Sequence, residues 1–343
     1  NALTELDLSN NPALDYVYAY NNDVTEIDLS SNTQLTSLNV GYNALTELDL
    51  SSNTQLTHVY AYNNDLTEID LLSNTGLIHL DVDDNDLTEI DLSSNTQLTY
   101  LDLHDNDLAE LDLTTNALLT SLYCDYNNLT ELDVSSNTEL TTLRCEYNNL
   151  TELDVSSSTS LDLLHCNNNN LTELLVDEVG ELLCQNNNLT ELDVSSATTL
   201  NYLSCYGNNL LGLDVSNNLL LTQLNTFGMD MCIQVVDIDY AVQQAEYCDY
   251  SDYDDDFATI PCFYKSTNSI WSLDCGDSTY GCTDENACNY IQGSDFDYDD
   301  GSCLYPAFGS DDCDSDCDSD GNGICDDLEY TYVPDANFES YLE

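Results

Sequence analysis

Residues 119–139 read LTSLYCDYNNLTELDVSSNTE, and residues 140–160 read LTTLRCEYNNLTELDVSSSTS. The same pattern recurs along about the first two thirds of the 343-residue chain. A fixed period near twenty residues is typical of a solenoid, because one unit cannot bury its apolar side without its neighbours. The copies share an opening leucine, and one copy, three residues short, opens on a valine: Leu14, Leu35, Leu56, Leu77, Leu98, Leu119, Leu140, Leu161, Val179, Leu200 and Leu221.

Each copy contains two halves of the form LxxLxLxxN. The apolar and polar residues alternate within each half, which is the spacing of a β-strand. We expect the first half to form a parallel strand of the concave face, and the second half to form a shorter strand or tight turns behind it. No segment combines helical periodicity with capping residues, so we expect little helix. In the copy that begins at Leu119, the two halves are Leu119, Leu122, Cys124 and Asn127, then Leu129, Leu132, Val134 and Asn137.

Asparagines recur at two fixed positions of the repeat. A buried asparagine at a bend can bond the free backbone groups of its own turn and of the next one. We therefore interpret both columns as structural. The first column is Asn22, Asn43, Asn64, Asn85, Asn106, Asn127, Asn148, Asn169, Asn187 and Asn208, and the second is Asn11, Asn32, Asn53, Asn74, Asn95, Asn116 and Asn137.

The pattern resembles the leucine-rich repeat family, in particular the short nested bacterial variety with two LxxLxL units per turn. The resemblance covers residues 1–225 and implies a mostly β, leucine-rich-repeat solenoid of about eleven turns with parallel strands. It also implies a secreted or surface-attached protein whose work is binding or scaffolding.

Residues 226–280 break the period. The stretch MCIQVVDIDYA at 231–241, with the cysteines that follow it, resembles the C-terminal cap of such arrays in secreted proteins of Bacteroidetes-like bacteria. A cap is needed because the last turn would otherwise expose an apolar face and open strand edges. We predict a cap disulfide between Cys232 and Cys262, with Cys248 and Cys275 as alternative partners.

Residues 281–310 form a small cysteine-rich segment that contains GCTDENACNYIQGSDFDYDDGSC. It resembles the GCTDxxACNY…DDGSC module of large secreted proteins from the same bacterial group. Ten of the 15 cysteines crowd between Cys232 and Cys325, which indicates an oxidising, extracellular, calcium-rich setting. The disulfide candidates are Cys232, Cys248, Cys262, Cys275, Cys282, Cys288, Cys303, Cys313, Cys317 and Cys325.

Residues 311–329 contain DCDSDCDSDGNGICDDLE, which resembles the calcium-binding repeats of the thrombospondin type 3 and dockerin kind. Calcium takes six to eight oxygen ligands, and alternating acids around a glycine turn supply them. We predict calcium here, and the alternative is a solvated acidic linker. The predicted ligands are Asp316, Asp318, Asp320, Asn322, Asp326, Asp327 and Glu329, with Asp295, Asp297 and Asp299 as a second, weaker candidate site.

Residues 330–343 end in TYVPDANFESYLE, which resembles the opening segment before the first repeat in this family. The chain itself begins in the middle of a repeat. Together these features favour one unit of a tandem array.

The chain carries a formal charge of −64, with Arg144 and Lys265 as its two basic residues. Such a surface repels nucleic acid and anionic lipid and attracts divalent cations and basic surfaces. No apolar stretch is long enough for membrane insertion. Two acidic columns, which include Glu131 and Asp133, stack like charges about 4.8 Å apart. Salt screening is the favoured explanation of their tolerance, and bridging calcium ions or protonated carboxylates are the alternatives.

Five cysteines share one inward phase of the repeat and are predicted to be buried free thiols: Cys124, Cys145, Cys166, Cys184 and Cys205. His58 and His79 share another phase, which is weak evidence for a metal site. Tyrosines on or beside the predicted concave strands suit sugar stacking or protein contact, although half-buried packing explains them equally well. The candidate ligand-binding tyrosines are Tyr18, Tyr60, Tyr123, Tyr126 and Tyr147.

No catalytic arrangement is visible, so we expect a protein that is not an enzyme. The first functional hypothesis is an extracellular structural protein that self-associates into a calcium-stabilised fibre or surface assembly. The alternative is a surface adhesin or recognition module that binds protein or glycan on the concave face. Residues between the strand leucines vary from copy to copy, which supports the alternative.

Overall fold

A computed structural model describes residues 2–228 and 232–235, together with the backbone of four further strands at 262–265, 270–272, 280–281 and 298–299. These parts of the chain contain strands and turns and no helix. In chain order the described strands are β1 Tyr16–Tyr18, β2 Ser37–Asn39, β3 His58–Tyr60, β4 His79–Asp81, β5 Tyr100–Asp102, β6 Ser121–Tyr123, β7 Thr142–Arg144, β8 Glu152–Asp154, β9 Leu163–His165, β10 Glu173–Leu175, β11 Glu181–Leu183, β12 Tyr202–Ser204, β13 Gly212–Asp214, β14 Gln223–Thr226, β15 Cys232–Gln234, β16 Cys262–Lys265, β17 Ile270–Ser272, β18 Tyr280–Gly281 and β19 Tyr298–Asp299.

The first half of each repeat forms one strand of a 12-stranded parallel sheet, hereafter the main sheet. Its strand order is β1-β2-β3-β4-β5-β6-β7-β9-β11-β12-β14-β16. Each strand pairs with its counterpart in the next turn without a shift of register, so that Leu101 on β5 lies opposite Leu122 on β6. Equivalent side chains of successive turns therefore line up in columns, as the fixed period predicted.

The second half of each repeat lies behind the main sheet and is built mostly from turns. Short parallel pairings form there between β8 and β10 and between β13, β15 and β17. This arrangement confirms the prediction of parallel strands in front and shorter strands or tight turns behind. The solenoid has about ten turns, close to the eleven predicted.

The core lies between the main sheet and the turns behind it. The central residue of each three-residue strand points inward, and the residues on both sides of it point out of the sheet. From Leu35 onward the apolar residue that opens each repeat is also buried, with Leu35, Leu56 and Leu77 completely inaccessible, whereas Leu14 in the first turn is partly buried. One continuous apolar core follows from these stacked positions, and no turn could form it alone.

The first asparagine column bonds adjacent turns through both ends of the amide. Asn64 donates from Nδ2 to the carbonyl oxygens of Val40 and Ala61, at 3.1 and 3.0 Å. Its Oδ1 accepts the backbone N–H of Leu45 at 3.0 Å. In the second column, Asn53 donates to the carbonyl oxygens of Leu29 and Asn32. Both columns are structural, as predicted.

A left-handed corner follows the main-sheet strands, three residues after the second outward strand position. The backbone φ there is close to +50° in turn after turn, a conformation that costs most residues about 1–2 kcal/mol because Cβ approaches the next carbonyl. Asparagine, aspartate and glycine tolerate it best. The residues of this corner column are Asn21, Tyr42, Asn63, Asp84, Asp105, Tyr126, Tyr147, Asn168, Asn186, Gly207 and, with a larger φ of 79°, Gly228.

The five cysteines of the repeat are buried and free, which confirms the prediction from their inward phase. Cys124 and Cys145 lie 3.4 and 3.5 Å from the carbonyl oxygens of Arg144 and His165 on the neighbouring strands. Burial raises the pKa of the Cys145 thiol well above its ordinary value. These thiols fill core space and stay uncharged.

The aspartate column behind the main sheet is held by local hydrogen bonds. Asp28, for example, accepts the backbone N–H of Ser30 at 2.9 Å. Hydrogen bonds from the following serine or threonine lower the pKa of Asp7, Asp28, Asp49, Asp91, Asp112, Asp133 and Asp193. These carboxylates are therefore ionised at neutral pH, and protonation does not explain how the column tolerates its charge.

Candidate recognition face

The outward side of the main sheet is the one surface of the described repeats on which residue type changes strongly from turn to turn. Two outward rows run across the strands. The first row is Tyr16, Ser37, His58, His79, Tyr100, Ser121, Thr142, Leu163, Glu181, Tyr202 and Gln223, and the second is Tyr18, Asn39, Tyr60, Asp81, Asp102, Tyr123, Arg144, His165, Leu183, Ser204 and Asn225.

A third row continues each strand by two residues. Its members from the third turn onward include Tyr62, Asp83, His104, Asp125, Glu146, Asn167 and Gln185. We call the part of the three rows between β3 and β9 the central face. It concentrates aromatic, histidine and acidic side chains that the repeat itself does not require.

Aromatic rings stack along the first row of the central face. The rings of His79 and Tyr100 are parallel, with centroids 4.0 Å apart, and His58 stacks on the other side of His79 at 5.8 Å. Tyr60 leans against His79 with centroids 4.7 Å apart. Burial and the neighbouring His58 lower the pKa of His79 to about 4, so its ring is neutral at physiological pH. Because the ring faces cover each other, this row offers a partner mainly ring edges.

Three carboxyl groups lie beside this aromatic row. Burial, together with the neighbouring Asp83, raises the pKa of Asp81 to about 8, and burial also raises the pKa of Asp83 and Asp102. Tyr100 donates its hydroxyl to Asp102 at 3.0 Å. The Oδ1 atom of Asp81 is buried and has no hydrogen-bond partner among the described residues. Like charges in a partly desolvated site favour the protonated form, so Asp81 retains its proton near neutral pH.

Two histidine–carboxylate pairs continue the central face toward β9. His104 bonds the buried carboxylate of Asp125 through Nδ1, and this bond raises the pKa of His104 to about 9. His165 bonds Glu181 through Nε2 at 2.8 Å, and its Nδ1 lies 3.9 Å from Glu146. Burial raises the pKa of the Glu146 carboxyl. The face therefore alternates neutral, anionic and cationic groups within a few turns.

Arg144 is the only lysine or arginine whose side chain is described. Its guanidinium lies over the ring of Tyr123, with 5.8 Å between the guanidinium carbon and the ring centroid. Within the described residues its Nε has no hydrogen-bond partner, and no carboxylate oxygen lies within 4.0 Å. The only described lysine or arginine side chain thus sits on the outward face without an ion-pair partner.

The candidate tyrosines fall into three settings. Tyr18 lies at the first edge of the sheet, 61% exposed, and Tyr60 and Tyr123 are half-buried in the second row. Tyr126 and Tyr147 lie at the left-handed corner beside the strands, 44% and 45% exposed. Their rings stack at 4.3 Å. The structure therefore brings Tyr60 and Tyr123 into the central face, places Tyr126 and Tyr147 at its border, and leaves Tyr18 outside it on β1.

An open groove lies on the opposite side of the solenoid, away from the central face. It is lined by the same Glu–apolar–Asp triplet on successive turns, beginning at Glu5, Glu26, Glu47, Glu68 and Glu89. Its lining repeats with little change. This uniformity contrasts with the variety of the central face.

The predicted calcium ligands and the ten disulfide candidates lie outside the described side chains. Within the described part, no group of three or more histidine, cysteine or acidic residues has a geometry that could hold a metal ion, and His58 and His79 form a ring stack. The described residues also contain no helix of the length and apolarity needed to cross a membrane.

Sequence reasoning named Tyr60 and Tyr123 but missed the interlocked groups around them. His79, Tyr100 and the His104–Asp125 pair become visible only when three turns are laid side by side in register. The sequence does show that the outward strand positions depart from the repeat pattern. That departure is enough to predict where the central face lies, although it does not predict the hydrogen bonds there.

Comparison with known proteins supports the fold. The functional domain of InlJ from Listeria monocytogenes, which includes a cysteine ladder, matches with 38% identity and a TM-score of 0.61 over 68% of this chain and 53% of that one. The leucine-rich repeat protein LIC12759 from Leptospira interrogans matches with 20% identity and a TM-score of 0.58, over 74% of this chain and 64% of that one. YopM, a leucine-rich effector protein from Yersinia pestis, matches with 22% identity and a TM-score of 0.50, over 63% and 64% of the two chains.

The matched part of this chain thus spans between half and two thirds of the length of these three structures. No family model matches the chain, and no curated protein matches it. The described solenoid has the leucine-rich repeat fold. The cysteine ladder of the InlJ domain has a counterpart here in the column from Cys124 to Cys205.

Proposed function

We propose that this chain is a recognition module that acts outside the cell or at its surface and binds a protein partner through the central face. The main support for this proposal is that variation between repeats is concentrated on the outward positions of the main sheet. The core and the rear turns repeat with little change, so folding does not require variety on the outward positions, whereas recognition of a specific partner does.

The chemistry of the central face suits a protein ligand. Interfaces are enriched in tyrosine and arginine, and their energetic centres are partly desolvated aromatic and charged groups with polar surroundings. Tyr60, Tyr123 and Arg144 supply such groups, with Asp102 beside them. The strongly acidic surface around them favours a partner with a basic docking surface and speeds its approach.

The test compares two variants with the same change of net charge. The face variant combines Tyr60→Ser with Asp102→Lys, and the rear variant combines Leu72→Ser with Glu110→Lys, which are exposed positions behind the main sheet. Each is measured by surface plasmon resonance against a panel of purified secreted and cell-surface proteins. A partner of the central face should bind the face variant about tenfold or more weakly and should bind the rear variant as it binds the unmodified chain.

A partner that loses the same affinity with both variants would be held by general electrostatic attraction, and that result would contradict the proposal. Repeating the measurement at high salt separates the two cases, because exposed charge pairs are screened there and a packed aromatic contact is not.

A second candidate function is a protomer of a calcium-stabilised fibre or surface assembly. The uniform Glu–apolar–Asp groove favours it, because a surface that repeats from turn to turn can be matched by a second copy only if cations offset its charge. The predicted calcium segment at 311–329 points the same way. Sedimentation of the full chain in millimolar CaCl2 and in EDTA tests it: calcium-dependent growth supports the assembly, and a monomer in both conditions opposes it.

A further inference from the structure

Two tyrosines occupy a backbone position that suits a tyrosine poorly. Tyr126 and Tyr147 have φ values of 52° and 53° in the corner column, where all other turns except that of Tyr42 carry asparagine, aspartate or glycine. Tyr42 differs from this pair because its ring makes an edge contact with Tyr62 of the third row. A bulky residue in this left-handed conformation is an outlier, and such strain is concentrated at sites with a function. Burial does not explain the choice, because close to half of each side chain remains exposed.

The two rings belong to a short stack that begins with a cation. Tyr126 and Tyr147 lie face to face, with an interplanar angle of 17°. On the far side of Tyr126, His104 makes an edge contact with centroids 5.3 Å apart and an angle of 76°. The hydrogen bond from His104 to Asp125 favours the imidazolium form. The order along the corner is therefore cation, tyrosine, tyrosine.

The other end of the stack is open. The next residue of the corner column is Asn168, whose Oδ1 accepts a hydrogen bond from Nδ2 of Asn186 at 2.9 Å. The column then continues through Asn186 to Gly207 and Gly228. Among the described residues, Tyr126 is the only ring that stacks on Tyr147, and it covers the inner face; neither a ring nor a cation contacts the outer face. The short residues beyond Tyr147 leave room above this face.

The open face of Tyr147 suits a cation, because the face of a tyrosine ring is electronegative. Asp84 and Asp105 lie in the same corner column on the other side of the stack, where they can attract further basic residues of a segment that follows the column. A planar guanidinium matches a ring face better than a compact, strongly hydrated ammonium does. Arg144 over Tyr123 shows the same contact within this chain.

We propose that the corner formed by Asp84, Asp105, Tyr126 and Tyr147 binds an arginine-containing segment of the protein partner, with one guanidinium stacked on the outer face of Tyr147. This inference rests on the proposed function, since it names the chemistry that the partner presents at the border of the central face. It extends the binding surface from the main sheet across the left-handed corner.

The experiment uses the full chain and two capped peptides, hexa-arginine and hexa-lysine, in fluorescence anisotropy titrations. The test variant is Tyr147→Asn, which installs the residue found at position 168 and leaves the net charge unchanged. Tyr42→Asn is the matched control, because Tyr42 has the same left-handed backbone at a distant turn. The unmodified chain and the two variants have the same net charge, so the general attraction for a basic peptide is the same in all three. A difference in peptide affinity is therefore due to the ring of Tyr147.

We expect Tyr147→Asn to weaken hexa-arginine binding about fivefold and to change hexa-lysine binding less than about twofold. Tyr42→Asn should leave both affinities unchanged. The melting temperature of Tyr147→Asn should stay the same or rise, because asparagine adopts the left-handed backbone conformation at less cost than tyrosine. A ring retained only for folding would lower the melting temperature when removed and leave both peptide affinities unchanged.

Three results would overturn the proposal: an unchanged affinity for hexa-arginine, an equal loss for the two peptides, or an equal loss with Tyr42→Asn. A parallel titration with cellohexaose covers the alternative ligand class. Saccharide binding that Tyr147→Asn abolishes while hexa-arginine binding persists would assign the corner to a glycan. Because the peptides replace the partner, failure here leaves the comparison of the face and rear variants as a separate test of the proposed function.

Discussion

His79 and Tyr100 stack in parallel on neighbouring strands of the main sheet, with ring centroids 4.0 Å apart and an angle of 5° between the ring planes. They are register partners of β4 and β5, so the contact is a direct result of the repeat length. The pairing of equivalent positions turns two residues 21 positions apart into one packed unit. It also removes water from the imidazole, which fixes His79 in its neutral form at physiological pH.

Replacing His79 with phenylalanine should make the protein more resistant to acid. The unfolded chain binds a proton at His79 near pH 6.5, whereas the folded chain does so only near 4, so stability falls as the pH drops between these values. Phenylalanine keeps the ring stack and removes this proton uptake. After allowance for the solvent exposure of the ring, we expect a gain of about 1 kcal/mol near pH 5 relative to the unmodified chain.

Urea unfolding at neutral and acidic pH measures this difference. Ser121→Phe is the control, since it adds a ring at the same row two strands away from β4 and removes no titrating group. If His79→Phe and the unmodified chain lose stability in parallel on acidification, His79 is not desolvated as described.

Replacing Asp81 with asparagine should have the opposite dependence on pH. The folded-state pKa of Asp81 is raised from 3.8 to about 8, so between these values the unfolded chain has released a proton that the folded chain keeps. The stability of the unmodified chain therefore decreases as the pH rises through this range. Asp81→Asn removes the effect and should stabilise the protein by roughly 1–2 kcal/mol near pH 8, with little change near pH 4.

Thermal unfolding across this pH range checks the prediction. Asp28→Asn serves as the contrast, because Asp28 lies in the rear column where the pKa is lowered. That substitution should not stabilise the protein at high pH. Equal responses at Asp81 and Asp28 would show that total charge, and not the local burial of Asp81, controls the effect.

The two asparagine columns should differ in their importance for stability. Asn64 uses both ends of its amide, so Asn64→Leu leaves the N–H of Leu45 without its partner, at a loss of about 2–3 kcal/mol. It also removes one of the two side-chain donors to each of the carbonyl oxygens of Val40 and Ala61, which keep their bonds from Asn43 and Asn85. Asn53 donates two bonds, but its buried Oδ1 has no partner among the described residues. Asn53→Leu also removes that unsatisfied oxygen, and we expect it to lose only about 1 kcal/mol.

Guanidinium unfolding of the two variants measures the two losses in the free energy of unfolding. Both positions lie in neighbouring turns around β3, and both substitutions introduce the same side chain, so each variant controls for the other. A larger loss at Asn53 than at Asn64 would contradict the hydrogen-bonding scheme of the columns.

Most of the fold follows from the period alone. The 21-residue repeat determines parallel in-register strands, and the inward phase of Leu122 and Cys124 determines the core. The left-handed corners were harder to predict, because asparagine and tyrosine share that column and only the asparagine suggests a tight bend.

The central face is less predictable for a physical reason. Each of its contacts joins residues from different turns, and the geometry depends on side-chain rotamers that the repeat does not fix. Tyr60 and Asp102 can be assigned to outward rows from their phase, but the shift in the pKa of Asp81 depends on how deeply its neighbours bury it. The fold could therefore be predicted from the phase of each residue in the repeat, whereas the central face could be described only from the side-chain contacts between turns.

The cysteine column should not react with alkylating reagents in the native protein. Cys124, Cys145, Cys166, Cys184 and Cys205 are fully buried, and burial raises the pKa of each thiol. The thiolate is the reactive species, so both its population and its access to reagent are suppressed. We expect iodoacetamide to leave all five unmodified in native protein and to modify all five in guanidinium, as read by peptide mass spectrometry.

The same five positions also test whether the sulfur has a role beyond filling space. Earlier turns carry Val40, Ala61 and Val82 at this position, so Cys145→Val introduces a side chain that the solenoid already accommodates. It should change stability by less than about 1.5 kcal/mol, whereas Cys145→Ala leaves a small cavity and should lose more. Native labelling at Cys145, or a larger loss with valine than with alanine, would show that the column is not the close-packed, water-free core described.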